Sequence, residues 1–427
     1  MTAFGGSQFL LLFIVAVGIL LMLIRPRNIA EVYWIGAGVL LLVVLRLIPL
    51  SVAGRAAAKA SDVCLFLIGM MLLSELASEY GVFDWLSSIA LRSADGSCSG
   101  LFLLVYGVGT VVTIFMSNDA TAVVLTPAIL AGVRKARVAP LPYLYVCAFI
   151  ANAASFVLPI SNPANLVVFR NNMPPLGRWM LSFTVPSVIS IVTTYLVLRW
   201  IFRKELRASI EHRGDAKPLT ADGKMVLVGL AAMVVVLLSA SALDKDLGLP
   251  TCLAALVITA IVCIRTRNSP LRLVREISWA TLFLVAGLFV MVDAVAGAGA
   301  LQLTQRFLTW AQNLGLWTGT LVMGFVVGIA NNLVNNLPLG LIAGSTVQTA
   351  HASGLMANAV LIGVDLGPNL SITGSLATIL WLIALRKEQL DVSFWDFLRV
   401  GAVVMPVALF ASLLGSILVE LIFRSTF

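Results

Sequence analysis

Residues 316–350 read LWTGTLVMGFVVGIANNLVNNLPLGLIAGSTVQTA, two uncharged apolar arms joined by Asn331, Asn332, Asn335, Asn336 and Pro338. A stretch of this form reads as a hairpin that enters a membrane from one side and carries polar amides at its tip. Residues 101–133 repeat the form, with Ser117-Asn118-Asp119 between apolar arms in IFMSNDATAVVLTP. In hydrocarbon each unsatisfied polar group costs several kcal/mol, so both tips must line a protein-enclosed cavity or bond to exposed backbone.

The rest of the chain supplies that membrane setting. Of 427 residues 60% are hydrophobic and 11% charged, against roughly 25% charged in a soluble domain, which excludes a water-soluble globule. Residues 8–24, 225–243, 247–264 and 400–419 are free of charge over about the length that crosses a bilayer. A transmembrane barrel would alternate in hydrophobicity, and these continuous runs do not. The net charge of +8 reflects short basic loops and reads as topology rather than nucleic acid binding. The five cysteines, Cys64, Cys98, Cys147, Cys252 and Cys263, form no Cys-x-x-Cys pair and only two histidines accompany them. No disulfide framework, metal site or cofactor is expected. The chain has no phosphate-binding loop and no His-Glu-x-x-His motif, so it reads as a transporter, not an enzyme.

The longest polar stretch, 203–224, separates a first half (1–202) from a second (225–427). A shift of 217 aligns Phe66-Leu67 with Phe283-Leu284, Leu104-Val105 with Leu321-Val322, Gly107 with Gly324 and Asn118 with Asn335. Agreement at one offset argues for an internal repeat. Each half offers five crossings, near 8–24, 32–50, 62–80, 143–171 and 179–202, and near 225–243, 247–264, 278–295, 355–384 and 400–422. An odd number makes the repeats inverted. The expected fold is an all-α polytopic membrane protein of two inverted repeats, each with five crossings, one re-entrant hairpin and a discontinuous helix. With both termini outside and the linker cytoplasmic, 20 of the 28 Lys and Arg residues fall inside, which satisfies the positive-inside rule.

The discontinuous helices carry the remaining chemistry. LPISNPANLVV puts Pro159, Ser161, Asn162, Pro163 and Asn165 within one span, and GVDLGPNLSITGSLATILWL puts Asp365, Gly367, Pro368, Ser371, Thr373, Gly374 and Ser375 within another. Prolines there remove donors and free carbonyls. A tip and a broken helix in each half mark a transporter's midplane site. Candidate substrate-binding residues are Ser117, Asn118, Ser161, Asn162, Asn165, Asn335, Asn336 and Thr373. Asp119 and Asp365 are the candidate proton carriers, because a carboxylate within a membrane is costly when ionised and alternating access moves it between two environments. Glu75 and Asp293 read as solvated positions near span ends, and Cys64 and Cys147 as packing residues.

These four clusters resemble the arsenite permease family of the ion transporter superfamily. The resemblance rests on Asn118-Asp119 followed by Thr126-Pro127, Ser161-Asn162 with Asn165, Asn335-Asn336-Leu337-Pro338, and Asp365-Leu366-Gly367-Pro368 running to Gly374-Ser375-Leu376-Ala377-Thr378. It implies an inner-membrane pump that expels arsenite or antimonite in exchange for protons, with a soluble ATPase subunit as partner in some members. Asn369 stands where several members carry a lysine. Arsenous acid is mostly an uncharged trihydroxide near neutral pH, suited to asparagine amides, serine hydroxyls and freed backbone groups. A sodium-proton antiporter of the same superfamily is the alternative, since carbonyls, amides and Asp119 also suit a hard cation. An intramembrane enzyme is the remaining one.

Overall fold

The computed structural model describes residues 6–169, 173–210, 218–243, 245–299, 301–350 and 352–426. His212 of the linker and His351, expected to follow the second hairpin, lie outside them. Among the described residues the regular structure is helical, with one isolated bridge between Ser97 and Ser209.

The first half runs α1 (Gly6–Ile24), α2 (Glu31–Val44), α3 (Leu50–Ala58), α4 (Ser61–Glu79), α5 (Val82–Ser93), α6 (Cys98–Phe115), α7 (Asn118–Ala120), a widened π turn (Thr121–Leu125), α8 (Thr126–Lys135), α9 (Leu141–Ala153), α10 (Pro163–Phe169) and α11 (Leu176–Ile201). The second runs α12 (Ala221–Ala242), α13 (Gly248–Thr266), α14 (Leu271–Glu276), α15 (Trp279–Gly297), α16 (Leu301–Asn313), α17 (Leu316–Val334), α18 (Asn336–Thr349), α19 (Gly354–Leu366), α20 (Leu376–Lys387) and α21 (Phe394–Thr426). The order recurs element for element, with α18 in the place of α7 and α8. Packing recurs with it: α4 lies on α13 and α15 on α2, while α10 lies on α18 and α20 on the π turn.

Local chemistry sets the helix starts. The hydroxyls of Ser97, Thr220 and Ser353 accept from backbone N–H groups of Gly100, Gly223 and Met356, capping α6, α12 and α19. Among the described residues eight helices are long and apolar enough to cross a membrane: α4, α6, α11, α12, α13, α15, α17 and α21. The crossing expected over 32–50 is shorter. Helix α2 ends at Val44 after 14 residues, about 21 Å of rise, because Arg46 turns left-handed at φ 53° and Pro49 leads into α3.

Burial separates two kinds of helix. All of α10, and α9 from Pro142 onward, are buried, the mark of a helix apolar on every side. By contrast α1, α2, α11 and α13 turn Leu20, Leu40, Val188, Leu196, Leu253 and Val257 outward, the face that lipid covers. Tyr145, Phe149, Trp381 and Phe397 fix α9, α20 and α21 together, with Phe149 stacked on Phe397 at 5.1 Å. Helices α17 and α19 approach through small residues. A Cβ on Gly367 would stand 2.5 Å from the Gly328 carbonyl oxygen. Gly367→Ala is therefore expected to lower stability by about 1–3 kcal/mol through overpacking, read as a lower unfolding temperature in detergent.

Candidate functional site

The first helix break lies between α9 and α10. Asn162 caps α10, its Oδ1 accepting the Ala164 N–H at 3.0 Å. Asn165 turns back along the break, and its Nδ2 donates to the carbonyls of Ser155, Leu158 and Pro159 at 2.9–3.3 Å, satisfying groups the prolines set free. The second break is sealed with hydroxyls instead. Ser375 Oγ accepts the Thr378 N–H at 3.1 Å and Thr378 Oγ1 donates to the Ile372 carbonyl at 2.9 Å. Two chemistries thus close the same kind of gap.

Each hairpin tip is tied to the break of its own half. In the first, Ser161 donates to the Ile114 carbonyl at 2.9 Å, Ser117 caps the tip by accepting from Ala120, and Asn118 Oδ1 accepts the Asp119 N–H at 2.9 Å. In the second, Asn332 is the knot. Its Nδ2 donates to the carbonyls of Gly328 and Gly367 at 2.9 and 3.0 Å, and its Oδ1 accepts from Ser371 at 2.8 Å. Asn331 donates to the Val364 carbonyl, Thr373 donates to the Asn332 carbonyl at 3.0 Å and Asn335 to the Thr373 carbonyl at 3.3 Å. Asn335 holds φ 79°, ψ 153°, a glycine-like conformation that costs on the order of 1–3 kcal/mol and persists where its surroundings enforce it.

The halves join through side chains of the broken helices. Asn162 Nδ2 donates to Asp365 Oδ1 at 2.8 Å, Asn152 Nδ2 to Asn369 Oδ1 at 2.9 Å, and Asn369 Nδ2 to the Phe149 carbonyl at 3.1 Å. Asp365 is 0% exposed and Asn162 1%. Among the described residues, Asp365 Oδ2 and the Oδ1 atoms of Asn152, Asn165, Asn331 and Asn336 are buried acceptors with no hydrogen-bond partner. Such acceptors are satisfied by a solute that brings its own O–H donors.

A cavity of about 150 Å³ opens beside this network. Ser117, Asp119 and Ala120 of the first tip, Pro163 and Leu376 at the starts of α10 and α20, Ser74 and Glu75 of α4, Glu276 at the end of α14, and Ser278 and Thr281 at the start of α15 line it. Leu376 also borders a much smaller space with Asn335 and Leu337 of the second tip. Helices α7, α10 and α20 therefore begin around this cavity, and α18 begins beside the smaller space that shares Leu376 with it. Among the described residues lining either space there is no lysine or arginine.

The candidate residues divide by placement. Ser117 and Asp119 face the cavity, Asn335 faces the smaller space, and Asn162 and Asp365 bond to each other between the breaks. The donors of Ser161, Asn165 and Thr373 are engaged with backbone carbonyls. Sequence reasoning left out Asn152 and Asn369 as a bonded pair. Their signal was a lone asparagine within the apolar run AFIANAASF, 217 residues before Asn369.

Comparison with known proteins places the architecture. A family described as citrate transporter (CitMHS) matches residues 19–367. The arsenical pump membrane protein of Escherichia coli (strain K12) is 27% identical over 361 residues, 81% of this chain and 83% of that protein. The arsenical pump membrane protein of Yersinia enterocolitica is 26% identical over 362 residues with the same coverage. Among solved structures, the YdaH transporter of Alcanivorax borkumensis, described as having an unusual topology, is similar in fold at a TM-score of 0.56. That match covers 90% of this chain and 89% of the other at 14% identity.

Proposed function

The chain belongs to the citrate transporter family (CitMHS), and we propose that it exports arsenite and antimonite across the inner membrane in exchange for protons. Membrane transport follows from the family and fits the eight candidate spans among the described residues. The substrate reading draws support from the arsenical pumps among its relatives. The single observation that carries it is a cavity lined by hydroxyls and carboxylates, beside the Asn162–Asp365 pair, with no lysine or arginine among its described lining residues. A neutral trihydroxide can donate to those carboxylates and hydroxyls and accept from the hydroxyls. Asp119 and Asp365 hold the exchanged proton, and Ser117, Asn118, Ser161, Asn162, Asn165, Asn335, Asn336 and Thr373 form the surround of the substrate.

A carboxylate substrate is the second reading, favoured by the family's description. Asp119, Glu75 and Glu276 on the cavity wall oppose it, since each ionised carboxylate repels a polyanion. Everted membrane vesicles distinguish the two readings. Arsenite accumulation upon acidification of the lumen is expected, while citrate accumulation without arsenite accumulation supports the second.

The topology in this reading keeps both termini outside, the linker 203–224 inside and the repeats inverted, so hairpin one opens to the cytoplasm and hairpin two outward. The five cysteines are free and spread over α4, α6, α9 and α13, and no group of three metal ligands occurs among the described residues. Replacing all five is expected to leave arsenite flux within about twofold of wild type, because turnover favours weak oxygen and nitrogen contacts over tight thiolate binding. In that background, Arg134→Cys and His351→Cys are expected to react with impermeant maleimide from opposite sides. Labelling of both from one side contradicts the inverted topology.

A further inference from the structure

The repeat places two pairs of charged residues at corresponding positions. Lys59, at the end of α3, corresponds to Glu276 at the end of α14, and Asp293 of α15 corresponds within one residue to Glu75 of α4. Helix α3 packs on α15 as α14 packs on α4. At one of these sites opposite charges meet, with Lys59 Nζ donating to Asp293 Oδ1 at 2.7 Å. At the other, two carboxylates, Glu75 and Glu276, line one cavity.

Facing carboxylates repel unless a proton or cation is shared between them. Other charged groups near Glu75 are Glu79 on its own helix, itself 3.7 Å from Arg272 of α14, and Asp119 across the cavity. Among the described residues, no lysine or arginine lines the cavity that Glu75 and Glu276 share. Glu75, Glu276 and Asp119 line the same cavity of about 150 Å³, room for a few waters at roughly 30 Å³ each. Ser74 lines it too, is 8% exposed, and among the described residues its hydroxyl has no hydrogen-bond partner. That hydroxyl is a free donor and acceptor for a water chain.

We propose that Glu75, backed by Glu276, is a proton-holding site that exchanges a proton with Asp119 through this cavity. In the step, protonated Asp119 releases its proton to water, water passes a proton to the Glu75 carboxylate, and Asp119 is left ionised. The reverse transfer reloads it. This deepens the exporter reading and rests on it for direction, since the α4 and α14 ends face the cytoplasm in that topology. The Lys59–Asp293 pair at the corresponding position cannot perform the role, because its carboxylate is neutralised by a fixed cation.

The test uses the full chain in proteoliposomes, with two transport measurements and one that needs no substrate. Glu75→Gln is expected to reduce proton-gradient-driven arsenite uptake roughly tenfold or more, while exchange of internal for external arsenite, which needs no net proton movement, stays within about twofold. Glu75→Asp is expected to recover most of the driven uptake. In the infrared difference spectrum of wild type against Glu75→Gln at neutral pH, a protonated-acid carbonyl band that shifts in deuterium oxide is expected. Driven uptake retained in Glu75→Gln, equal loss of exchange in both variants, or absence of the acid band each overturns the proposal. If wild-type protein carries no arsenite, the exporter reading fails, and the infrared band alone decides the proton site. If Glu75→Gln does not insert, Glu276→Gln replaces it in the transport arm. An exchange-competent Glu276→Gln protein with reduced driven uptake supports the site, and one with unchanged driven uptake overturns it.

Discussion

Asp365→Asn is expected to lower proton-driven arsenite transport by about a hundredfold, the scale on which losing a single proton-carrying group is felt, while substrate binding persists. The carboxylate is fully buried, holds the Asn162 amide at 2.8 Å through Oδ1 and leaves Oδ2 unpartnered among the described residues. Asparagine keeps the size and can still accept from Asn162, so loss of titration is the main change. Folding is therefore expected to survive, and arsenite exchange without a gradient separates coupling from binding. Asp119→Asn tests the second carrier in the same assay. Asp119 is half-buried and faces the cavity, and loss of driven uptake there as well assigns a carboxylate to each end of the path. Unchanged gradient dependence in both variants removes both from the coupling mechanism.

Asn332→Leu is expected to have the largest effect on assembly. One side chain bridges Gly328 of α17, Gly367 of the break and the Ser371 hydroxyl, binding the second hairpin to its broken helix. A leucine fills similar space but removes the donor to Gly328 and Gly367 and the acceptor for Ser371, leaving Gly367 only the Leu370 N–H and Ser371 only Thr373. Losing these side-chain hydrogen bonds costs about 2–4 kcal/mol together. A fall in unfolding temperature with loss of both exchange and driven uptake is expected. Normal stability of the leucine variant removes Asn332 from its structural role.

Much of this arrangement was readable before any coordinates. Asparagines within apolar arms have few places to go in a membrane, so 117–119 and 331–336 announced two tips, and Pro159, Pro163 and Pro368 announced two breaks. The structure indeed interrupts its helices at Met116–Ser117, at Asn335, and on either side of those prolines. The pairings were not readable. Nothing in LPISNPANLVV says that Asn162 would reach Asp365 while Asn165, three residues on, would be spent on carbonyls of its own break. That distinction depends on which face of α10 meets α19, a matter of tertiary packing.

The two helices before the hairpins, α5 and α16, were also missed. Each has polar residues spread along it, and their amphipathic pattern lacks the continuous apolar run that marks a crossing. Glu75 reads in the sequence as a solvated carboxylate near a span end; that it shares a cavity with Asp119 depends on tertiary packing.

In the proposed function, a site lined by hydroxyls and carboxylates, with no lysine or arginine among its described lining residues, passes a neutral oxyacid against protons. The most direct test of that function places purified protein in proteoliposomes under an imposed pH gradient and follows labelled arsenite and labelled citrate in parallel, with and without sodium. Arsenite accumulation that collapses with the gradient, needs no sodium and is unaffected by excess citrate is the expected result. Citrate accumulation with no movement of arsenite contradicts it.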